Sequence, residues 1–397
     1  MMSSDTKEIK ENKKEIKSLD GLINLLEFTE DKPLSFALYR LPGNEDSFEF
    51  AGTYNKVQSL NDIVLEELPK GFVISSFSGK SWFLQADIYW DSASNNLEFK
   101  NDTKIHFTAE KKPKEKPTLS SLFSLNQSDS TPEIDEKYVN LVTDAIDYIK
   151  SEKVHKLVPA RRKTIQGTIT SNLFSDFEKL CTTYPNAFVS LISTPETGTW
   201  MGASPEILVS TKENTFQTVS VAGTQVYNNQ VLSQVAWTQK EIEEQALVSR
   251  YIINCFKKIR LREFDEMGPK TVIAGNLLHL KSTFTVDMNS TGFPELGSVM
   301  LKLLHPTSAV CGMPLEGSRA FLLENEGFDR KLFSGFLGPV IPSKNTSLFV
   351  NIRCMEVHPD SVTLYAGAGV TADSIPEKEL AETNQKFATL ENIILKN

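Results

Sequence analysis

"LFVNIRCMEVHPDSVTLYAGAGVTADSIPEKELAETNQK", Leu348 to Lys386, changes its hydrophobic period partway along. Before Gly369 the apolar residues alternate, and beyond Pro376 they recur at helical spacing. The alternating part reads as a hairpin turning at His358–Ser361. Pairing Val357 with Val362 sets Met355 opposite Leu364 and Arg353 opposite Ala366. A guanidinium then stands at the end of a covered sheet face. It lies beside Gly367 and Gly369, where the missing Cβ lets a ligand approach the backbone. The planar fork of arginine matches a carboxylate. An arginine simply emerging at a sheet edge would give the same pattern.

Beyond the hairpin, Ser374-Ile375-Pro376-Glu377 has the form of a capping box, with proline tolerated in the first turn. Leu380, Phe387, Leu390 and Ile394 form an apolar stripe, and Glu379, Glu382 and Lys386 fall on the opposite side. Like charges at i and i+3 repel unless something positive lies between them. The face is therefore either a solvated one with a Glu382–Lys386 pair or half of a cation site. A second pair, Glu241 and Glu244, occurs in "TQKEIEEQALV", within a helix expected over residues 233–259. Two helices each offering two carboxylates would make an oxygen-rich site suited to Mg²⁺ if they meet. Either pair alone is also an ordinary wet helix face.

The rest of the chain limits what such a site can serve. A net charge of −9 over 397 residues argues against general affinity for nucleic acid or an anionic membrane. No stretch approaches the roughly 20 apolar residues of a membrane span. The first residues, "MMSSDTKEIKENKKEIKSLD", lack an apolar signal-peptide core. Cys181, Cys255, Cys311 and Cys354 lie far apart, which suits reduced thiols in a cytoplasm. The five histidines show no transition-metal spacing.

Early strand-like runs, among them "LSFALYRL", "SFEFAGTY", "GFVISSF" and "SWFLQADIYW", precede clustered strands and helices in the second half. This arrangement predicts an α+β fold with antiparallel sheets, not a regular βαβ alternation. Residues 1–20 read as a polar tail and residues 21–397 as a single catalytic domain. Within that domain the Lys/Pro/Ser-rich stretch 110–137 reads as a mobile connector, with an apolar docking piece at Leu119–Leu125. No dinucleotide fingerprint or P-loop is present.

Seven motifs then occur in a shared order: "KLVPAR" (Lys156–Arg161), "GASPEILV" (Gly202–Val209), "VAGTQ" (Val221–Gln225), "LHPTSAVCGMP" (Leu304–Pro314), "ENEGFDRKLFSGFLGPV" (Glu324–Val340), "NIRC" (Asn351–Cys354) and the C-terminal stretch. Over roughly residues 135–397 the chain resembles the chorismate-utilising enzymes, closest to the isochorismate synthases. The resemblance implies a single large domain of two packed antiparallel β-sheets with surrounding helices. It implies Mg²⁺ held chiefly by Glu244 and Glu382, with Glu241 and Glu379 as nearby or water-mediated partners, and the ring carboxylate of chorismate on the metal. Arg353, with backbone around Gly367 and with Lys386, would bind the enolpyruvyl carboxylate. Gly223, Thr224 and His305 would be further substrate contacts, although a lone His305 in a turn equally suits a structural role.

The resemblance also implies that Lys156 is the general base and Glu206 the general acid. A lysine sharing a strand face with Val154 and Val158 loses solvation, which favours the neutral amine. A partly buried carboxyl with a raised pKa suits proton donation. Otherwise Lys156 reads as a surface strand lysine and Glu206 as a turn cap. Ala222 replaces the lysine that aminodeoxychorismate synthases tend to carry, and no glutaminase region or partner is expected. Pro159, Glu241, Gln245 and Val340 depart from the common family residues without removing a proposed chemical group. The expected activity is isochorismate synthesis, for menaquinone or a catechol siderophore. Salicylate synthesis, anthranilate synthesis and a silent chorismate-binding protein are the alternatives.

Overall fold

The hairpin forms in the register its apolar pairs require. In the computed structural model Cys354–Val357 and Ser361–Gly367 pair antiparallel, with Val357 opposite Val362 and Met355 opposite Leu364. Arg353 breaks the expected third pair. Its φ of 51° turns the chain out of the ladder just before the strand begins. That left-handed conformation costs an ordinary residue about 1–2 kcal/mol. Ala366 keeps its partner on the other side, Arg161.

The structure describes residues 19, 21–22, 34–44, 47–100, 123–127, 135–167, 173–228, 231–274, 277–342 and 345–395. The expected tail therefore lies outside the described residues except for Leu19. The expected connector does so except for 123–127 and 135–137. Within that connector Phe123 packs against Phe36 and Phe174. Asp135 already begins a helix that runs to Lys150.

Two nine-stranded antiparallel sheets form the body. The first runs from edge to edge through Asn96–Phe99, Ile88–Asp91, Glu49–Thr53, Ser35–Arg40, Phe188–Thr194, Gly198–Ser204, Cys354–Val357, Ser361–Gly367 and Ala160–Gln166. The second runs through Asp265–Ala274, Leu277–Asp287, Thr215–Val226, Ile207–Lys212, Asn345–Val350, Phe336–Ile341, Gly71–Ser75, Ser81–Gln85 and Gln58–Leu60. A two-stranded ribbon pairs Lys156–Leu157 with Gly312–Met313.

Residues of both sheets share one core, including Tyr39, Phe72, Ile74, Trp200 and Tyr365. Phe188 and Phe349 stack across the layers with ring centroids 4.1 Å apart. Such a pair adds about 1 kcal/mol beyond its buried area. "SWFLQADIYW" reads as one run but divides between the sheets. Buried Asp87 accounts for the break: it accepts hydrogen bonds from Thr53 and Asn55, and its N–H donates to Gly52.

Helices cover the outer faces. Leu173–Thr183 and the C-terminal helix Pro376–Ile394 pack Phe177, Leu180, Phe387 and Leu390 on the first sheet. Gln239–Lys258 and Leu296–Leu304 pack Ile252, Phe256, Met300 and Leu301 on the second. Both acidic helices thus bury an apolar stripe, and in the C-terminal one Glu379 is buried as well.

Their starts differ from expectation. Gln239, not residue 233, opens the first helix, because Thr238 and Glu241 form a reciprocal capping box. Ser374-x-x-Glu377 forms none: Ile375 is the N-cap without a side-chain cap, and Ser374 Oγ accepts from Thr371 N–H at 3.1 Å.

Candidate active site

A cleft of about 710 Å³, its open mouth included, is lined by strands of both sheets and by the two acidic helices. From the second sheet come Gly223, Thr224 and His279, and Glu206 lies just ahead of a strand of that sheet. From the first come Tyr365, Ala366 and Gly367. Glu244 enters from one helix, and Glu382 and Lys386 enter from the other.

Glu206 follows a bend fixed by Ser204, whose Oγ donates to the Val350 carbonyl at 2.6 Å. The side chain is buried, with the Thr307 hydroxyl 3.5 Å from Oε1. Burial pushes its carboxyl up to about 7, against the pull of the Lys156 charge. A carboxyl in that state carries a proton near neutral pH and can give it away.

Lys156 lies on the short ribbon and is fully buried. Its Nζ donates to Glu244 Oε1 at 2.8 Å. Burial alone would raise the Glu244 carboxyl, yet the Lys156 charge and hydrogen bond hold it below its ordinary value. Gly369 leaves space for the pair, since a Cβ there would sit 2.3 Å from Glu244 Oε1.

Opposite charges also meet at the C-terminal helix. Lys386 Nζ lies 2.8 Å from Glu382 Oε1 and donates to the Gly367 carbonyl at 2.6 Å. The buried Arg353 guanidinium donates to Thr389 Oγ1 at 3.2 Å. Burial lowers its pKa to about 10, opposed by Glu382, so it remains charged and poorly solvated. That is the condition in which a guanidinium binds an anion strongly.

Gly223 sits in a register shift between Ala222 and Gln225, at φ 68°. A Cβ there would meet the Trp237 ring at 3.0 Å, so only glycine fits without displacement. The His279 Nδ1 lies 2.7 Å from the Gly223 carbonyl. A carbonyl only accepts, so Nδ1 carries the hydrogen and Nε2 keeps a lone pair. Nε2 is buried without a partner among the described residues. Burial, with Arg353 nearby, lowers this imidazole to about 3, so it is neutral.

The fold thus gathers Glu206, Gly223, Thr224, Glu244, Arg353, Gly367, Glu382 and Lys386 around one cleft, with Lys156 joined to it through Glu244. Three of the expected residues lie elsewhere. The Glu241 carboxylate accepts from Thr238 N–H at 2.7 Å and from Gln225, so it serves the helix cap. Glu379 is buried behind the cleft lining and pairs with Lys240 at 2.5 Å. His305 packs edge-on against Phe336 at 4.8 Å, outside the lining.

The Glu241 placement was legible, since "TQKE" is a capping box in sequence. His279 was missed because a single histidine in a strand has no spacing signature. Gln245 donates to Ser220 Oγ at 2.8 Å and pins Glu244's helix to the second sheet. Among the described residues no three His, Cys, Asp or Glu side chains gather as a metal cluster. Glu244 and Glu382 are the two carboxylates of the acidic helices that reach the cleft.

The chain is similar to known proteins in sequence and in fold. A family model described as chorismate binding enzyme matches residues 66–395. Isochorismate synthase DhbC of Bacillus subtilis is 33% identical over 199 residues, 48% of this chain and 49% of that protein. The match thus spans about half of that relative's length. Isochorismate synthase EntC of Escherichia coli is 27% identical over 284 residues, 70% of this chain and 71% of that protein. The crystal structure of a putative 2,3-dihydroxybenzoate-specific isochorismate synthase, DhbC from Bacillus anthracis, superposes with a TM-score of 0.72 at 22% identity. It covers 95% of this chain and 100% of that one, which shows a shared fold. A family match over most of the chain, on this fold, with an amine, an acid and a guanidinium at one cleft, makes the chain a member of the chorismate binding enzyme family.

Proposed function

We propose that the chain converts chorismate to isochorismate. The observation that carries this reading is the pairing of a buried carboxyl that is half protonated near pH 7, Glu206, with a buried amine, Lys156, at one cleft. Lys156, having first released its ammonium proton to solvent, takes a proton from water as the water oxygen bonds to C2 of the ring. The ring double bonds shift, and the C4–O bond breaks as Glu206 donates its proton to the departing hydroxyl. One water enters and one leaves, and a proton returns from Lys156 to Glu206 to reset the pair. No redox cofactor is needed, and no glutaminase partner, because water is the nucleophile.

Arg353 and Lys386 supply positive charge for the enolpyruvyl carboxylate. The neutral His279 offers Nε2 as an acceptor for a substrate hydroxyl, and Thr224, also in the cleft lining, offers a hydroxyl. Carboxylates facing one cleft from two helices fit Mg²⁺, which takes hard oxygen ligands and usually keeps several waters instead of an all-protein cage. Glu244 and Glu382 would hold it, and Mg²⁺ so bound would neutralise the ring carboxylate of chorismate.

Incubating the purified chain with chorismate and Mg²⁺, followed by chromatographic identification of products, tests the reading. Isochorismate without pyruvate is expected. Salicylate with pyruvate would replace it by the salicylate synthase alternative. Anthranilate formed only with added ammonia would overturn both.

A further inference from the structure

We infer that Lys240 is a built-in counter-ion of the carboxylate site, holding it together without a metal and opposing divalent-cation binding until substrate arrives. The inference rests on the proposed metal role of Glu244 and Glu382.

Lys240 is the second residue of the Gln239–Lys258 helix. A cation in a first turn faces the positive end of the helix dipole, an unfavourable place without outside compensation. The compensation comes from the other acidic helix, where Glu379 Oε1 lies 2.5 Å from Lys240 Nζ. The amine therefore ties together the first turns of the two helices that carry Glu244 and Glu382 into the cleft. Glu379 is nearly inaccessible to water at 1% exposure, and burial raises its carboxyl against the Lys240 charge. Burial disfavours the Lys240 ammonium too, but Glu379, then Glu244 and Glu382, more than offset this. One ammonium thus answers to three carboxylates.

Around the cleft, Glu244, Glu379 and Glu382 are each paired with a lysine: Lys156, Lys240 and Lys386. These six charges cancel before any ligand binds. A dication entering alone would add two positive charges to a partly desolvated site that already holds the Arg353 guanidinium. The two carboxylates of chorismate would offset the charge of the dication. Lys156 and Lys386 already have proposed work on the substrate, whereas Lys240 contributes charge alone.

Isothermal titration of Mg²⁺ into the chain without chorismate tests the inference, using wild type, Lys240→Met and Lys240→Arg. Losing one positive charge beside the site should tighten Mg²⁺ binding about tenfold, while the arginine variant should behave as wild type. In chelator Lys240→Met should melt below wild type, with the gap closing as Mg²⁺ is added. Should the methionine variant not fold, Lys240→Gln, which removes the charge but keeps a polar side chain, carries the same comparison. Unchanged or weaker Mg²⁺ binding by the folded variant would overturn the counter-ion role alone. Absence of Mg²⁺ binding by all three proteins, and by wild type with chorismate present, would overturn the metal reading and the inference with it.

Discussion

Lys156 Nζ donates to Glu244 Oε1 at 2.8 Å, joining the proposed proton acceptor to a proposed cation ligand. The contact makes base and metal site one electrostatic unit. Whatever draws negative charge away from Glu244 also acts on Lys156.

Removing the amine should therefore cost both catalysis and stability. Lys156→Ala is expected to lose at least about a hundredfold in turnover. It should also lose about 3 kcal/mol in denaturant unfolding, because the Glu244 charge is left without its partner. Lys156→Ala combined with Glu244→Gln should regain much of the stability and none of the turnover. A single variant as stable as wild type would show that the pair is not felt by the fold.

Glu206 predicts a pH limb whose direction follows from its raised pKa. Its carboxyl must be protonated to act, so turnover should fall as pH rises through about 7. For stability, the folded value near 7 lies above the ordinary 4.5, so the protonated form is favoured by folding. That contribution is complete below 4.5 and is lost as pH rises through 7. Glu206→Gln should abolish turnover and flatten this part of the stability profile. An active glutamine variant would exclude the proton-donor role.

His279 and His305 should separate cleanly. His279→Phe is expected to raise KM for chorismate about tenfold by removing a hydrogen-bond acceptor. His305→Phe should lower the melting temperature and leave KM unchanged. Because burial holds His279 near 3, its imidazole should stay neutral from pH 5 to 8 by nitrogen NMR. A histidine titration at that position near pH 6 would contradict the buried, singly protonated ring.

Arg353 combines a left-handed backbone with a buried guanidinium, which places function above local comfort. Arg353→Lys keeps a charge but loses the planar fork, and KM should rise about tenfold with a smaller change in kcat. Arg353→Gly should relieve the backbone while binding chorismate at least as poorly as the lysine variant. Equal KM in all three proteins would remove the carboxylate contact from the reading.

Periodicity made the sheets and the helix stripes legible. Val357 with Val362 and Met355 with Leu364 pair as their alternation required, and Phe387 and Leu390 bury as their spacing required. Local rules failed where two signals competed for one residue. Ser374 carries a capping pattern, yet its hydroxyl accepts from Thr371 and leaves Ile375 at the cap. Glu241, which the resemblance places near the metal, sits in a cap that "TQKE" spells out.

Charge and hydrophobic spacing along the chain thus determined which side chains could face inward and which could carry chemistry, because both periods are properties of neighbours in sequence. Only the tertiary structure decided that Lys156 meets Glu244 across 88 residues, that Glu379 is answered by Lys240, and that His279 rather than His305 reaches the cleft. These meetings depend on how two sheets stack and where two helices start. No local period encodes such distances, since desolvation and ion pairing act through space.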